Sequence, residues 1–243
     1  MERCKPIEKG FTLLVLGSRV YYNIFQRISI DYRRSFVDTE LGEQAAMAIR
    51  FTFSFAKAKA ALLHLAQKNL TGFSKGKACK LLFLSDKRHL VQYGRPITGD
   101  WYVAMDHGPV PSSILDLLDA AQSGVIKTER EAEIAACIRF DRSFEYPPIH
   151  ALEPPDLDDL SESDIESLDA IVQEHGHKSF TELRNLTHGM PAYEKAWSGR
   201  SGASAPMSFE LFFEEDEDAV AGVVEEVIEN GEIRKVFPEP AWF

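Results

Sequence analysis

Seven histidines, three cysteines and a scatter of carboxylates are the side chains here that could do chemistry. The closest histidine pair is His175-Gly176-His177, an i, i+2 arrangement that can chelate a metal. No carboxylate or cysteine stands near it at a recognised ligand spacing, so surface or capping roles are expected and no metal. Asp86 and His89 fall at i and i+3, which puts them on one helix face as two parts of a Ser-His-Asp set. The neighbouring Ser85 sits in no G-x-S-x-G elbow, and a local polar pair is the expectation. Gly72-Phe73-Ser74-Lys75-Gly76-Lys77 is basic and contains glycine, but its glycines are too close together for a phosphate loop. Lys75, Lys77 and Lys80 are expected on the solvated face of a helix. Cys4, Cys79 and Cys137 form no CxxC pair and are odd in number. That argues against a disulfide framework or a cysteine zinc site, and for a reducing, cytoplasmic setting. Read from these residues, the chain is not an enzyme and needs no cofactor.

The elements that would position such side chains are mostly helical. Ser54 is placed to cap a helix to about Lys68, with Ala58, Ala61, Leu62, Leu65 and Ala66 at spacings of three and four. A second helix is expected from about Lys77 to Tyr93, with Gly94 as a left-handed C-cap and Pro96 as a stop. Pro111 suits the start of a third, Ser112 to about Gln122. Val125–Thr128 and Ile134–Phe140 read as two weak strands. Ser161 with Asp164 opens a helix to His175, and Ser179-Phe180-Thr181-Glu182 is a capping-box signature for a short one to about Leu186. Pro191–Trp197 reads as another turn or two, residues 198–206 as a surface loop, and Met207–Phe213 as a strand or extended arm. A last helix is expected over Asp218–Asn230. Residues 1–46 show no clean period and read as an extension or a mis-assigned start, with the domain proper opening near Met47.

Composition sets outer bounds. The chain has 243 residues, 44% of them apolar and 27% charged, the balance of a folded globular protein. Its longest apolar runs are far shorter than the roughly 20 residues a membrane helix takes, and no export signal is read. Net charge is -11, divided as +1 over residues 1–46, +4 over 47–150 and -16 over 151–243. The acidic third repels a polyanion, which disfavours nucleic acid. Glu214–Asp218 is a run of five acids, expected as a solvated loop or a partner contact.

One stretch is more informative than the rest. Gly94-Arg95-Pro96-Ile97-Thr98-Gly99-Asp100-Trp101 and Gly108-Pro109-Val110-Pro111 flank the apolar Trp101–Met105 piece. Glycines that permit positive φ and prolines that fix φ make a stiff crossover between two helices. It either seals the core with Trp101 and Tyr102 or presents a fixed surface. Together with the preceding helix (Lys80 to Asp86), Leu160–Asp164, Ser179–His188 and Pro191–Trp197, this order resembles the Panacea domain of SocA-like, phage-associated antitoxins. The resemblance runs from about Met47 to Trp197, and as far as Phe213 at most.

The resemblance implies a mainly α fold with a small β element, a helical domain with a short β-hairpin spanning 47–213. Residues 214–243 then form an acidic helix and tail. It implies an antitoxin that neutralises a partner toxin, encoded next door, by direct protein binding. One member of the family serves as an adaptor that delivers its toxin to an ATP-dependent protease, and the resemblance implies that role as a further expectation. It brings no catalytic residues and no membrane. The expected partner-binding residues are Arg95, Trp101, Tyr102, Asp106 and His107, on a frame set by Asp86, Gly94, Pro96, Gly108, Pro109 and Pro111. Two alternatives remain: a winged-helix DNA-binding regulator with its wing at Val125–Phe140, and a hydrolase using Asp86, His89 or His107.

Overall fold

The computed structural model describes residues 51–213, together with the backbone of two short strands near the N-terminus. The chain divides into two compact units, Met1–Ala48 and Ile49–Phe243. In the first, strands β1 (Thr12–Leu16) and β2 (Arg19–Asn23) pair antiparallel, with Leu14 opposite Tyr21. A stretch expected to lack regular pattern therefore contains a hairpin. The Glu214–Asp218 run and the helix expected over Asp218–Asn230 lie outside the described residues.

The second unit holds seven α-helices among its described residues and short strands in two small sheets, a mainly α fold with a small β element. The helices form where capping chemistry and apolar spacing agree. Helix α1 (Phe55–Gln67) starts at Ser54, whose hydroxyl accepts from the Lys57 amide. Helix α2 (Lys75–Tyr93) ends on Gly94 at φ +72°. Helix α3 (Ser112–Ser123) starts directly after Pro111. Helices α4 (Glu129–Cys137), α5 (Glu162–His175) and α6 (Phe180–His188) each carry a complete capping box, at Thr128/Glu131, Ser161/Asp164 and Ser179/Glu182. Helix α7 (Pro191–Ser198) places proline at its first position, where no amide is needed.

Strands β3 (Tyr102–Met105) and β4 (Gly108–Pro111) form an antiparallel hairpin, with Tyr102 opposite Pro111 and Ala104 opposite Pro109. The prolines are tolerated because β4 is an edge strand and they sit two apart, on the same register. Strand β7 (Ser204–Pro206) adds to the other side of β3. Strands β5 (Ile138–Phe140) and β6 (Ile149–Ala151) make the second pair.

Three expectations are corrected. Val125–Thr128 is not a strand, and Ile134–Cys137 is the last turn of α4; only Ile138–Phe140 is extended. The Thr128-x-x-Glu131 box outweighs the partial alternation, because it satisfies two amides at a helix start. The wing required for a winged-helix reading is thus a helix, and the hairpin of the fold lies at 102–111. Residues 198–206 are not all loop, since β7 pairs with β3. Phe209–Phe213 is a 3-10 turn, because that geometry drives Phe209, Phe212 and Phe213 together into the core.

That core centres on α2. Leu81, Leu82 and Phe83 are buried against Leu62, Leu63 and Leu65 of α1 and Leu168 of α5. Phe83, Tyr102, Phe209 and Phe212 form an edge-to-face cluster with ring centroids 5.2–6.4 Å apart, a geometry that adds about 0.5–1.5 kcal/mol per pair beyond burial. No helix among the described residues is long and apolar enough to cross a membrane.

Candidate partner-binding site

The crossover from α2 to α3 is fixed by two buried carboxylates. Asp86, inside α2, accepts from the amides of Ile97 and Thr98 at 3.0 Å, the Thr98 hydroxyl at 2.5 Å and the Tyr102 hydroxyl at 2.9 Å. Burial pushes its carboxyl up to about 6, against the pull of those hydrogen bonds. Asp100 accepts from the amides of Trp101 (2.7 Å), Ser113 (3.0 Å) and Ile114 (2.9 Å). It caps α3 from outside the helix, where Pro111 offers no side-chain acceptor. Burial raises its carboxyl as well. Gly99, at φ +66°, passes so close to the chain before α1 that an added Cβ would stand 2.4 Å from the Thr52 carbonyl oxygen.

A third carboxylate closes the frame from α5. Asp164 is fully buried and meets Lys57 of α1, while its second oxygen lies 3.0 Å from both His89 Nε2 and Arg95 Nη1. Burial alone would raise this carboxyl; hydrogen bonds from His89, Lys57 and the Ser161 amide, with the Arg95 charge, hold it well below the usual range. His89 Nδ1 donates to the Arg95 carbonyl at 2.6 Å. Asp86 and His89 therefore serve different partners and form no relay.

The crossover ends in the β3–β4 turn. Asp106 and His107 stand there with side chains 78% and 70% exposed. Beneath them is a basic and aromatic layer. Gly108, at φ +97°, leaves room for Lys80, which is buried and donates to the Pro109 carbonyl at 2.8 Å. Desolvation lowers the Lys80 ammonium to about 8. Arg184 donates to the Asp106 carbonyl and Tyr193 to the Met105 carbonyl, so α6 and α7 hold the turn from below. His188, Tyr193 and Trp197 stack in series at 4.3 and 5.8 Å, and Arg200 caps the Trp197 face at 3.7 Å.

The expected partner-binding residues are thus separated. Asp106 and His107 are presented together on a braced turn. Tyr102 is fully buried on Asp86 and offers nothing to a partner. Arg95 is committed to Asp164 and Ser161, and Trp101 is half-buried. Of the residues expected to frame the crossover, Asp86 binds the Ile97 and Thr98 amides, Gly94 ends α2, Gly108 lies against Lys80, the Pro109 carbonyl accepts from Lys80, Pro111 lies opposite Tyr102, and Pro96 follows Arg95. Lys77 and Lys80 are not on a solvated face: Lys77 is buried and donates to the Thr71 and Gly176 carbonyls, and Lys75 pairs with Asp119. Sequence reasoning missed Asp100 and the Tyr193–Trp197 ladder, although the ladder's i, i+4 aromatic spacing was a usable signal. Among the described residues no cluster of histidine, cysteine or acidic side chains could hold a metal. Cys79 and Cys137 are free and buried, their thiols raised to about 11 by desolvation.

Residues 79–197 match the family model described as "Antitoxin SocA-like, Panacea domain". This bears out the resemblance over α2 to α7, a narrower span than the Met47 start read from the sequence. No curated protein and no solved structure matches the chain.

Proposed function

We propose that this chain, carrying a SocA-like Panacea domain over residues 79–197, is an antitoxin that neutralises a toxin protein by binding it directly. The family match is the observation that carries the reading. The braced β3–β4 turn supports it, because a turn clamped by Asp86, Asp100 and Arg184 loses little entropy on docking. In this reading the protein makes and breaks no covalent bond, acts in the cytoplasm, and meets a toxin encoded by the adjacent gene. Handing the bound toxin to an ATP-dependent protease is a further step of the same proposal. Co-expression with the adjacent gene product tests it. Growth rescue with a co-purifying complex is the expected result, and absence of both would sink the proposal.

A further inference from the structure

The side chain of His89 in α2 is fully buried, and its two ring nitrogens face different elements. Nδ1 stands 2.6 Å from the Arg95 carbonyl, which can only accept, so Nδ1 carries a proton. Nε2 stands 3.0 Å from two groups of α5, the Asp164 carboxylate and the Ser163 hydroxyl. The carboxylate can only accept, whereas the hydroxyl can accept or donate.

The neighbouring hydroxyl decides what Ser163 does. Ser161 Oγ accepts from the Asp164 amide at 3.2 Å and from Arg95 Nη2 at 3.0 Å, which uses both of its lone pairs. Its own proton therefore goes to Ser163 Oγ, 3.0 Å away. Ser163 then has a proton to give, with His89 Nε2 in reach. A neutral ring is thus satisfied by a closed chain: Arg95 to Ser161, Ser161 to Ser163, Ser163 to Nε2, and Nδ1 back to the Arg95 carbonyl. A doubly protonated ring is satisfied as well, by Asp164. Asp164 Oδ1 is buried with no other hydrogen-bond donor among the described residues, and the Arg95 guanidinium stands 3.0 Å from it as an ion pair. Ser163 is half-buried, so its hydroxyl can turn to water when the ring takes a second proton. Three other polar groups surround this pair. Lys57 of α1 holds the second Asp164 oxygen, and Asp86, one turn earlier in α2, is spent on the crossover amides. The Tyr93 ring lies 4.7 Å from the imidazole between centroids, with its hydroxyl on Glu166.

A buried imidazole with partners for both protonation states changes charge without orphaning a hydrogen-bonding group, and histidine is the side chain that does so in the physiological range. We propose that His89 is a proton-operated latch between α2, the crossover and α5. With Nε2 protonated it grips Asp164; with Nε2 bare it is held by the Ser163 hydroxyl. The tie between α5 and the crossover that carries the β3–β4 turn therefore changes with pH. The inference stands on this geometry alone, whatever partner the turn meets.

Nitrogen NMR of the imidazole rings in the full folded chain, followed from about pH 5 to 9, reads both nitrogens of His89. Nδ1 is expected to stay protonated throughout, and Nε2 to lose its proton within that range while the fold is retained. Variants are compared at the pH where half of the parent molecules carry the Nε2 proton. Ser163→Ala removes the donor that serves the neutral ring, so the ratio of protonated to bare Nε2 is expected to rise ~3–10-fold. Asp164→Asn removes the anion that serves the cation, and the same ratio is expected to fall at least ~10-fold. Ser163 is only half-buried, so its variant decides the matter even if Asp164→Asn, which also alters a helix cap, does not fold. Nε2 in one state across the whole range overturns the inference. So does loss of the Nδ1 proton in place of the Nε2 proton, or an unchanged ratio in Ser163→Ala.

Discussion

Two buried charges give the residue scale its sharpest test. Asp86 in the folded protein titrates near 6, above the usual carboxyl value of 3.8. Between those values the folded state holds more proton than the unfolded one, so stability falls as pH rises from about 4 to 6 and then levels. The gap of about two pH units corresponds to roughly 3 kcal/mol. Asp86→Asn keeps the shape and an acceptor for the Ile97 and Thr98 amides. Urea unfolding followed from pH 4 to 7 is expected to show a steeper fall in the parent than in the variant, the difference being the Asp86 contribution. Lys80 has the opposite sense. Its ammonium is lowered from 10.5 to about 8 by burial, so the folded state holds less proton than the unfolded one in that window, and stability rises with pH from 8 to 10.5. In urea unfolding followed from pH 8 to 10.5, Lys80→Met is expected to gain less stability, or lose more, than the parent as pH rises, the difference being the Lys80 contribution. Neither residue's burial was legible in the sequence: a charged side chain inside a helix normally faces water, and only tertiary partners such as the Pro109 carbonyl reveal otherwise.

At the scale of elements, what the sequence reveals depends on whether the signal is local. Helices α1, α2, α3 and α5 were legible because cap residues and apolar spacing lie within the helix itself. Helix α4 was not, since only Ile134 and Cys137 of its nine residues are buried and the Thr128 box was overlooked. The β3–β4 hairpin was hidden by its prolines, which usually argue against strands and are tolerated here only at an unpaired edge. Phe209–Phe213 looked extended because its turn is set by Tyr102 and Phe83, more than a hundred residues away in sequence. Two outcomes follow at this scale. Gly99→Ala forces a side chain into positive φ and against the Thr52 carbonyl, and is expected to destabilise by at least ~2 kcal/mol in chemical denaturation. Phe212→Ala opens the aromatic cluster and is expected to lose ~3–5 kcal/mol. The second result also shows that the core extends past Trp197, where the family match ends.

On the scale of the whole molecule, the family span is packed between elements it does not include. Helix α1 precedes it and supplies Leu62, Leu63 and Leu65; the Phe209–Phe213 turn follows it and closes on Tyr102. The carboxylates Asp86, Asp100 and Asp164 all point inward and serve structure, whereas the turn at Asp106–His107 faces outward. Of the site expected from sequence, the turn was legible because glycine and proline bracket it, whereas the fate of Tyr102 and Arg95 depended on Asp86 and Asp164 in three dimensions. The account's central claim is stoichiometric occupation of another protein. Titration calorimetry of the full chain into the purified product of the adjacent gene, with the toxin's own activity followed in the same samples, measures that claim directly. The account predicts a saturable complex at fixed stoichiometry and loss of toxin activity in proportion to its formation. Loss of toxin activity at a few per cent of that stoichiometry, with the toxin left covalently altered, would contradict it.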